Sequence, residues 1–263
     1  MTKYITFPFI KNGAPLVGTG IPVCGMTVRA AGSMRFRWNE TNPVRNEMLS
    51  QITADFGGKK TFVPVQLDHT HIVYDVVTPD DTFEKIGDGI ITKNISIIPT
   101  ITVADCVPIF LYDNVTGVFG IVHSGWKGTG IVAEAIKLAG EKYGSKSEDF
   151  CITIGPHIHN CCYIVNEERA KYFADNFSAD CITPLEAGVK VDWNTGNGKL
   201  YRLSLEKANL AVLEKAGVRK ENIYVHPDCT CCSKDEFYGS NRRETKKSGR
   251  PDCFTVQAAF VTF

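Results

Sequence analysis

The chain reads as a mixed α/β (α+β) protein: one domain in which a mixed β-sheet is layered with helices. Three observations predict this. Val- and Ile-rich runs of strand length recur from one end to the other, several stretches place apolar residues at helical spacing, and no Pro/Gly/Ser linker divides residues 1–263. A chain of 263 residues with 43% hydrophobic content can bury a full core without splitting.

Taken in order, residues 1–12 and 15–29 read as strands, the second ending before Ala30-Ala31-Gly32-Ser33. Residues 43–56 read as a short helix, with Asn42 as N-cap and Pro43 in the first turn. Residues 62–67, 71–77, 97–103, 107–112 and 117–123 are β-branched, strand-like runs. Ile131, Val132, Ala135, Ile136, Leu138 and Ala139 recur at helical spacing, which predicts a helix over 129–143 stopped by Gly144. Residues 151–154 form a strand ending at Gly155-Pro156, and 166–176 form a helix. Leu203, Leu205, Ala208, Leu210, Leu213 and Ala216 predict a helix over 203–217, and strands follow at 223–225 and 253–260. Strands mixed with helices, with hairpins among them, argue for a mixed sheet covered by helices.

Charge excludes some functions. The 29 basic and 29 acidic residues cancel, so there is no electrostatic footprint for nucleic acid or an anionic membrane. No apolar run reaches spanning length and the N-terminus lacks an export pattern, so a cytoplasmic protein is expected. Ten cysteines then read as reduced thiols rather than a disulfide framework. Cys229, Cys231 and Cys232 are spaced too tightly for a zinc ribbon. They read as reduced thiols near a loop, with a second metal site that includes His226 as the alternative.

The chemistry concentrates at one hairpin. Ala104-Asp105-Cys106-Val107-Pro108 opens a strand, Asp113-Asn114-Val115-Thr116-Gly117 turns it, and Val118–Val122 leads to His123-Ser124-Gly125-Trp126-Lys127-Gly128-Thr129. Antiparallel pairing brings Cys106 and His123 to the same end of the sheet. A thiolate beside an imidazole suits zinc or copper. It also suits a nucleophilic Cys–His pair, and a buried cysteine can simply belong to the core. Upstream, Gln66-Leu67-Asp68-His69-Thr70-His71 offers a third ligand. Two histidines and one thiolate leave a fourth zinc position open, the catalytic pattern. Asp105 is a candidate general acid/base or a partner of the metal ligands; the plainer role is capping a turn. The glycines of the His123–Thr129 segment permit close approach to an anion at a helix N-terminus.

His69-Thr70, Ala104–Pro108, His123–Thr129, Gly155-Pro156, Cys162-Tyr163 and Ser240-Asn241-Arg242-Arg243 occur in that order. In these blocks the chain resembles the polyphenol oxidoreductase (laccase) domain family, YfiH-like proteins also described as purine nucleoside phosphorylases. The resemblance runs from about Gly25 to the C-terminus. It implies an α/β/α layered fold and a zinc site made by Cys106, His123 and one upstream histidine, taken as His69 rather than His71. His71, on the same strand face as His69, is then a partner of the metal ligands or a substrate contact. The resemblance also implies a phosphate co-substrate, which needs fork-shaped donors. Of Arg29, Arg45, Arg242, Arg243 and Arg250, the resemblance favours Arg45, Arg242 and Arg243, with Ser33 as a further contact. The chain departs from the family in its shortened Ala31-Gly32-Ser33 block and in Ile164, which stands where the family often carries glutamate; Asp105 or Glu167 are the substitutes to consider.

The activity implied is phosphorolysis of purine nucleosides (adenosine, inosine, guanosine, methylthioadenosine) to base and ribose-1-phosphate, with hydrolytic deamination of adenosine beside it. The alternatives are a copper-dependent phenol oxidase, a metal-free Cys–His hydrolase acting on a cell-wall precursor, and a non-enzymatic binding protein. Six histidines are too few for a four-copper oxidase. The expected partners are purine nucleosides and phosphate, and the expected assembly is a monomer or homodimer.

Overall fold

The computed structural model describes residues 2–186, 188–189, 191 and 198–263. The predicted hairpin is its centre. Val107–Asp113 pairs antiparallel with Phe119–Ser124, placing Ser124 opposite Val107 and His123 opposite Pro108. Both strands are buried along their whole length. That is why they read as continuous apolar runs rather than alternating ones.

Two main sheets form, and both are mixed. One has the order Ile223–Val225, Phe150–Ile154, Val107–Asp113, Phe119–Ser124, Gly89–Thr92, Val73–Asp75, with a parallel pair at each edge. The other has the order Tyr4–Phe7, Val23–Thr27, Gln257–Thr262, Ile97–Val103, Thr61–Pro64, with only its last pair parallel. Ile164–Asn166, Leu200–Leu203 and Ile182–Pro184 form a small third sheet.

The two large sheets pack face to face. Met26, Ile101, Val103, Ala259 and Val261 meet Ile90, Phe110, Phe119 and Ile121. Helix α1 (Pro43–Asp55) covers the outer face of the first sheet, where Met48, Leu49 and Ile52 reach Ala258 and Phe260. Ala258 and Ala259 thus face opposite layers, as the period of two requires. Helices α2 (Ile131–Tyr143), α3 (Glu167–Asn176) and α4 (Leu205–Lys215) cover the far face of the second sheet, packing on Ile109, Leu111 and Val122. The layering is therefore helix, sheet, sheet, helices, one sheet more than the single layer read from the sequence. Each fully buried Ile, Val or Phe in these layers contributes roughly 1.5–3 kcal/mol. Two contacts depend on absent side chains: a Cβ at Gly25 would lie 2.2 Å from the Phe260 ring, and one at Gly120 2.2 Å from the Ile90 carbonyl oxygen.

Several predicted boundaries change for local reasons. The strand over 1–12, whose first residue lies outside the described ones, breaks at Pro8, which has no N–H for the ladder; Ile10–Lys11 restarts in a tiny hairpin with Ala14–Pro15. The strand over 15–29 is confined to Val23–Thr27, because Gly18 and Gly20 turn at φ 129° and 83°. The final strand is Gln257–Thr262 rather than 253–260. Helix α5 (Asn241–Ser248), capped by the Ser240 side chain on the Arg243 N–H, carries Arg242 and Arg243 and has no counterpart among the predicted elements. The strand Gly89–Thr92 was not predicted. Among the described residues no helix is long and apolar enough to cross a membrane.

Candidate functional site

Cys106 and His123 meet at the end of the hairpin, and His69 joins them. Their ligand atoms all lie within 4.8 Å of one another. Of the two upstream histidines, only His69 belongs to this group. The strand predicted over 71–77 is confined to Val73–Asp75, and the buried Asp88 carboxylate gathers residues 68–70 into a turn ahead of it. Asp88 Oδ1 accepts from the His69 N–H at 3.1 Å, and Oδ2 accepts from the Thr70 N–H at 2.6 Å and the Thr70 hydroxyl at 2.7 Å. His69 sits at φ 55°. The shared-face argument for His69 and His71 therefore fails: His71 is exposed and its Nε2 lies 3.1 Å from the Lys127 carbonyl oxygen.

Asp88 also orients His123. Its Oδ1 is 2.8 Å from His123 Nδ1, and its own carbonyl accepts from the His123 backbone N–H at 2.7 Å. A carboxylate on Nδ1 leaves Nε2 as the imidazole's metal-binding atom. Gly125 supplies the space. A Cβ there would lie 2.7 Å from the His69 ring and 3.1 Å from Cys106 Sγ.

The electrostatics follow from this packing. Burial opposes ionisation of the Cys106 thiol, but the His123 and His69 imidazoles outweigh it and bring the pKa down to about 6. Burial likewise disfavours the His123 imidazolium, yet Cys106 and Asp88 outweigh it and push its pKa up to about 10. In the metal-free pair the proton belongs on the imidazole and the charge on sulfur.

Asp105 stands beside Cys106 at φ 80° and is buried. Its Oδ1 accepts from the Thr230 hydroxyl at 2.6 Å; its Oδ2 accepts from the Ser240 hydroxyl at 2.9 Å and the Arg242 N–H at 2.6 Å. Burial raises its pKa despite these donors. The carboxylate therefore ties the Cys106 turn to the start of α5.

Around this corner lies a cavity of about 400 Å³. Its polar wall includes Arg35, Arg37, Arg169 and Arg242, and its aromatic wall includes Phe36, Trp126 and Tyr163. The Arg169 guanidinium lies 4.2 Å from the Trp126 ring centroid, and that of Arg242 5.5 Å from Tyr163. Of the predicted site residues, His69, Asp105, Cys106, His123 and Arg242 line the cavity. Ser33, Arg45, His71 and Arg243 do not. Ser33 accepts from the Val256 N–H, and Arg45 is buried against Phe36 at 4.6 Å, where burial lowers its pKa to about 10. Arg243 donates to the Thr230, Cys231 and Tyr238 carbonyls. Glu167 accepts from Tyr201 and lies off the cavity wall.

Sequence reasoning missed Asp88, Arg35, Arg37 and Arg169. Basic and aromatic residues interleave in Arg35-Phe36-Arg37-Trp38, a legible signal. Asp88, between two glycines at the head of an apolar strand, was a weaker one. Arg169, in the first turn of a helix, gave none.

The "Purine nucleoside phosphorylase YlmD" of Bacillus subtilis is 35% identical over 168 residues, 63% of this chain and 57% of that protein. The chain thus matches little more than half the length of that relative. A "Purine nucleoside phosphorylase" of Borreliella burgdorferi is 32% identical over 179 residues, covering 68% of this chain and 73% of that one. The crystal structure of a Bacillus licheniformis hypothetical protein, YfiH, superposes with a TM-score of 0.77 at 23% identity, covering 92% of both chains, and shares the fold. Residues 39–256 match the family described as multi-copper polyphenol oxidoreductase laccase, and the chain belongs to that family.

Proposed function

We propose that the protein is a zinc-dependent purine nucleoside phosphorylase. One observation carries the reading: a two-histidine, one-thiolate corner opens into a cavity with arginines on one side and aromatic faces on the other. The names of the bacterial relatives support it. The donor set fits a metal on three counts: Asp88 fixes the His123 tautomer, Gly125 leaves the space a Cβ would fill, and the thiol is poised to ionise. His69, Cys106 and His123 would hold the ion, which supplies Lewis acidity to a substrate heteroatom when bound.

The chain's own residues do the rest. Arg242, with Arg35, Arg37 and Arg169, offers guanidinium donors to phosphate. Trp126 and Tyr163 offer ring faces to the purine. Holding phosphate and nucleoside together turns the displacement at the anomeric carbon into an intramolecular event. Asp105 acts as a positioning residue, because both its oxygens are engaged in holding Thr230 and the start of α5. Deamination of adenosine at the same corner is the second activity we assign.

The test is chromatography of adenosine and inosine incubations, with and without phosphate, on protein of measured metal content. Phosphate-dependent release of adenine and hypoxanthine is expected; inosine formed from adenosine without phosphate marks deamination. Base release independent of phosphate would overturn the phosphorylase reading. A metal-free Cys–His hydrolase is the second reading, favoured by the lowered Cys106 pKa beside His123. Activity that survives chelation would select it. The family description names copper, and copper(II) outbinds zinc at such sites, so phenol oxidation by copper-loaded protein belongs in the same assay.

A further inference from the structure

A second set of sulfurs gathers around Cys162, the residue before Tyr163 in the chain. The thiols of Cys161, Cys162, Cys229 and Cys232 all lie within 4.8 Å of one another. Cys161 Sγ is 3.7 Å from Cys162 Sγ and 3.7 Å from Cys232 Sγ. These are not disulfides, whose sulfurs stand about 2.05 Å apart. They match the edge of a zinc tetrathiolate: with Zn–S near 2.3 Å, tetrahedral geometry puts sulfurs about 3.8 Å apart. Cysteines bound to separate irons of a multi-iron cluster stand farther apart than this group.

We propose that Cys161, Cys162, Cys229 and Cys232 form a structural tetrathiolate site for a thiophilic, tetrahedral divalent metal, with zinc as its occupant. Four soft donors and no open position make a closed site, unlike the His69/Cys106/His123 corner. The site departs from the arrangement considered in the sequence. His226 lies against the Phe7 ring and its Nδ1 accepts from the Asp228 N–H, while Cys161 and Cys162 take the places given to His226 and Cys231.

The surroundings suit a negatively charged tetrathiolate. The His159 N–H donates to Cys229 Sγ at 3.3 Å. Arg202 donates to the Cys161 carbonyl at 2.9 Å, and Arg243 to the Cys231 carbonyl at 3.1 Å. Two guanidinium groups thus flank the cluster, and N–H···S bonding to thiolates is a usual device around metal sites. The backbone is already joined there: the Thr230 N–H donates to the His157 carbonyl at 2.9 Å.

Such a site would clamp two loops that build the cavity. One carries Tyr163. The other carries Thr230, whose hydroxyl holds Asp105 and, through Asp105, the Arg242 N–H. The metal would fix the wall that faces the corner without touching substrate.

The experiment measures zinc per protein in Cys106→Ala, which vacates the corner, after zinc loading and gel filtration. One retained equivalent is expected. Adding Cys161→Ser and Cys232→Ser, both at exposed positions, should reduce it to none, with circular dichroism checking the fold. Because this triple variant can fail to fold, cobalt is also loaded into Cys106→Ala with its cluster intact. Intense thiolate-to-cobalt charge-transfer bands and a tetrahedral d–d spectrum are expected. No retained zinc in Cys106→Ala, no such cobalt spectrum, or unchanged zinc in a folded triple variant would each overturn the proposal. None of these readouts depends on phosphorolysis.

Discussion

The corner at His69, Cys106 and His123 and the cluster at Cys161, Cys162, Cys229 and Cys232 are built from similar donors and differ in surroundings. The corner mixes imidazoles with one thiolate, faces a cavity, and is oriented by the buried Asp88. The cluster is all sulfur, has two of its members exposed, and is bordered by backbone amides and arginines. Three mixed donors at a cavity suit chemistry; four sulfurs between loops suit architecture. What a set of ligands does is decided by what stands next to it.

The sharpest way to break this division is to empty one site at a time. Cys106→Ala should reduce phosphorolysis to background while leaving the fold and the cluster metal in place; loss of both metals together would show the sites to be linked. The paired change Cys161→Ser and Cys232→Ser should do the reverse. Removing a clamp across some seventy residues is worth about 2–4 kcal/mol by analogy with a disulfide, or a melting temperature lower by about 5–10 °C. Turnover should survive, reduced, with the corner metal retained. A variant that keeps its melting temperature would remove the architectural role.

Next in size is the arginine wall. Arg242→Ala should raise the KM for phosphate roughly 10–100-fold, the loss of one charge-assisted contact of about 1.5–3 kcal/mol. Arg242→Lys should recover part of it, and neither should change metal content. Equal effects on phosphorolysis and on phosphate-independent deamination would argue against a phosphate role.

Asp88→Asn tests the orienting carboxylate. It should weaken zinc at the corner about 10–100-fold and leave the cluster metal unchanged. It also carries a pH signature. Burial alone would raise the Asp88 pKa, but His123 and Thr70 outweigh it and hold the carboxyl below its ordinary value. A folded pKa below the unfolded one gives stability that is present above the ordinary carboxylate range and lost as pH falls through the lowered value. Acid unfolding followed by circular dichroism should therefore be less steep in Asp88→Asn. The smallest effect belongs to His71→Ala. His71 is exposed outside the cavity, so stability should stay within about 0.5 kcal/mol and KM should barely move. A large rise in KM would return His71 to the substrate contacts.

What the sequence by itself determined is local. Cys106 and His123 could be paired on paper because one short hairpin fixes their register, and hairpin patterning lies within the sequence. The helices over 131–143 and 205–215 were legible for the same reason, since their apolar spacing repeats every turn. The second sheet layer was not legible, because strands buried on both faces carry no mark of which neighbour covers which face. Tertiary structure alone decided that Asp88, 35 residues from His123, would hold its imidazole, and that with its grip on residues 68–70 His69 would reach Cys106 and His123 while His71 stays outside that group. It alone brought the thiols of 161–162 to those of 229–232, and arginines from separate segments to one cavity. Periodicity encodes what a residue's own strand or helix does; which distant loops meet is settled only when the layers pack.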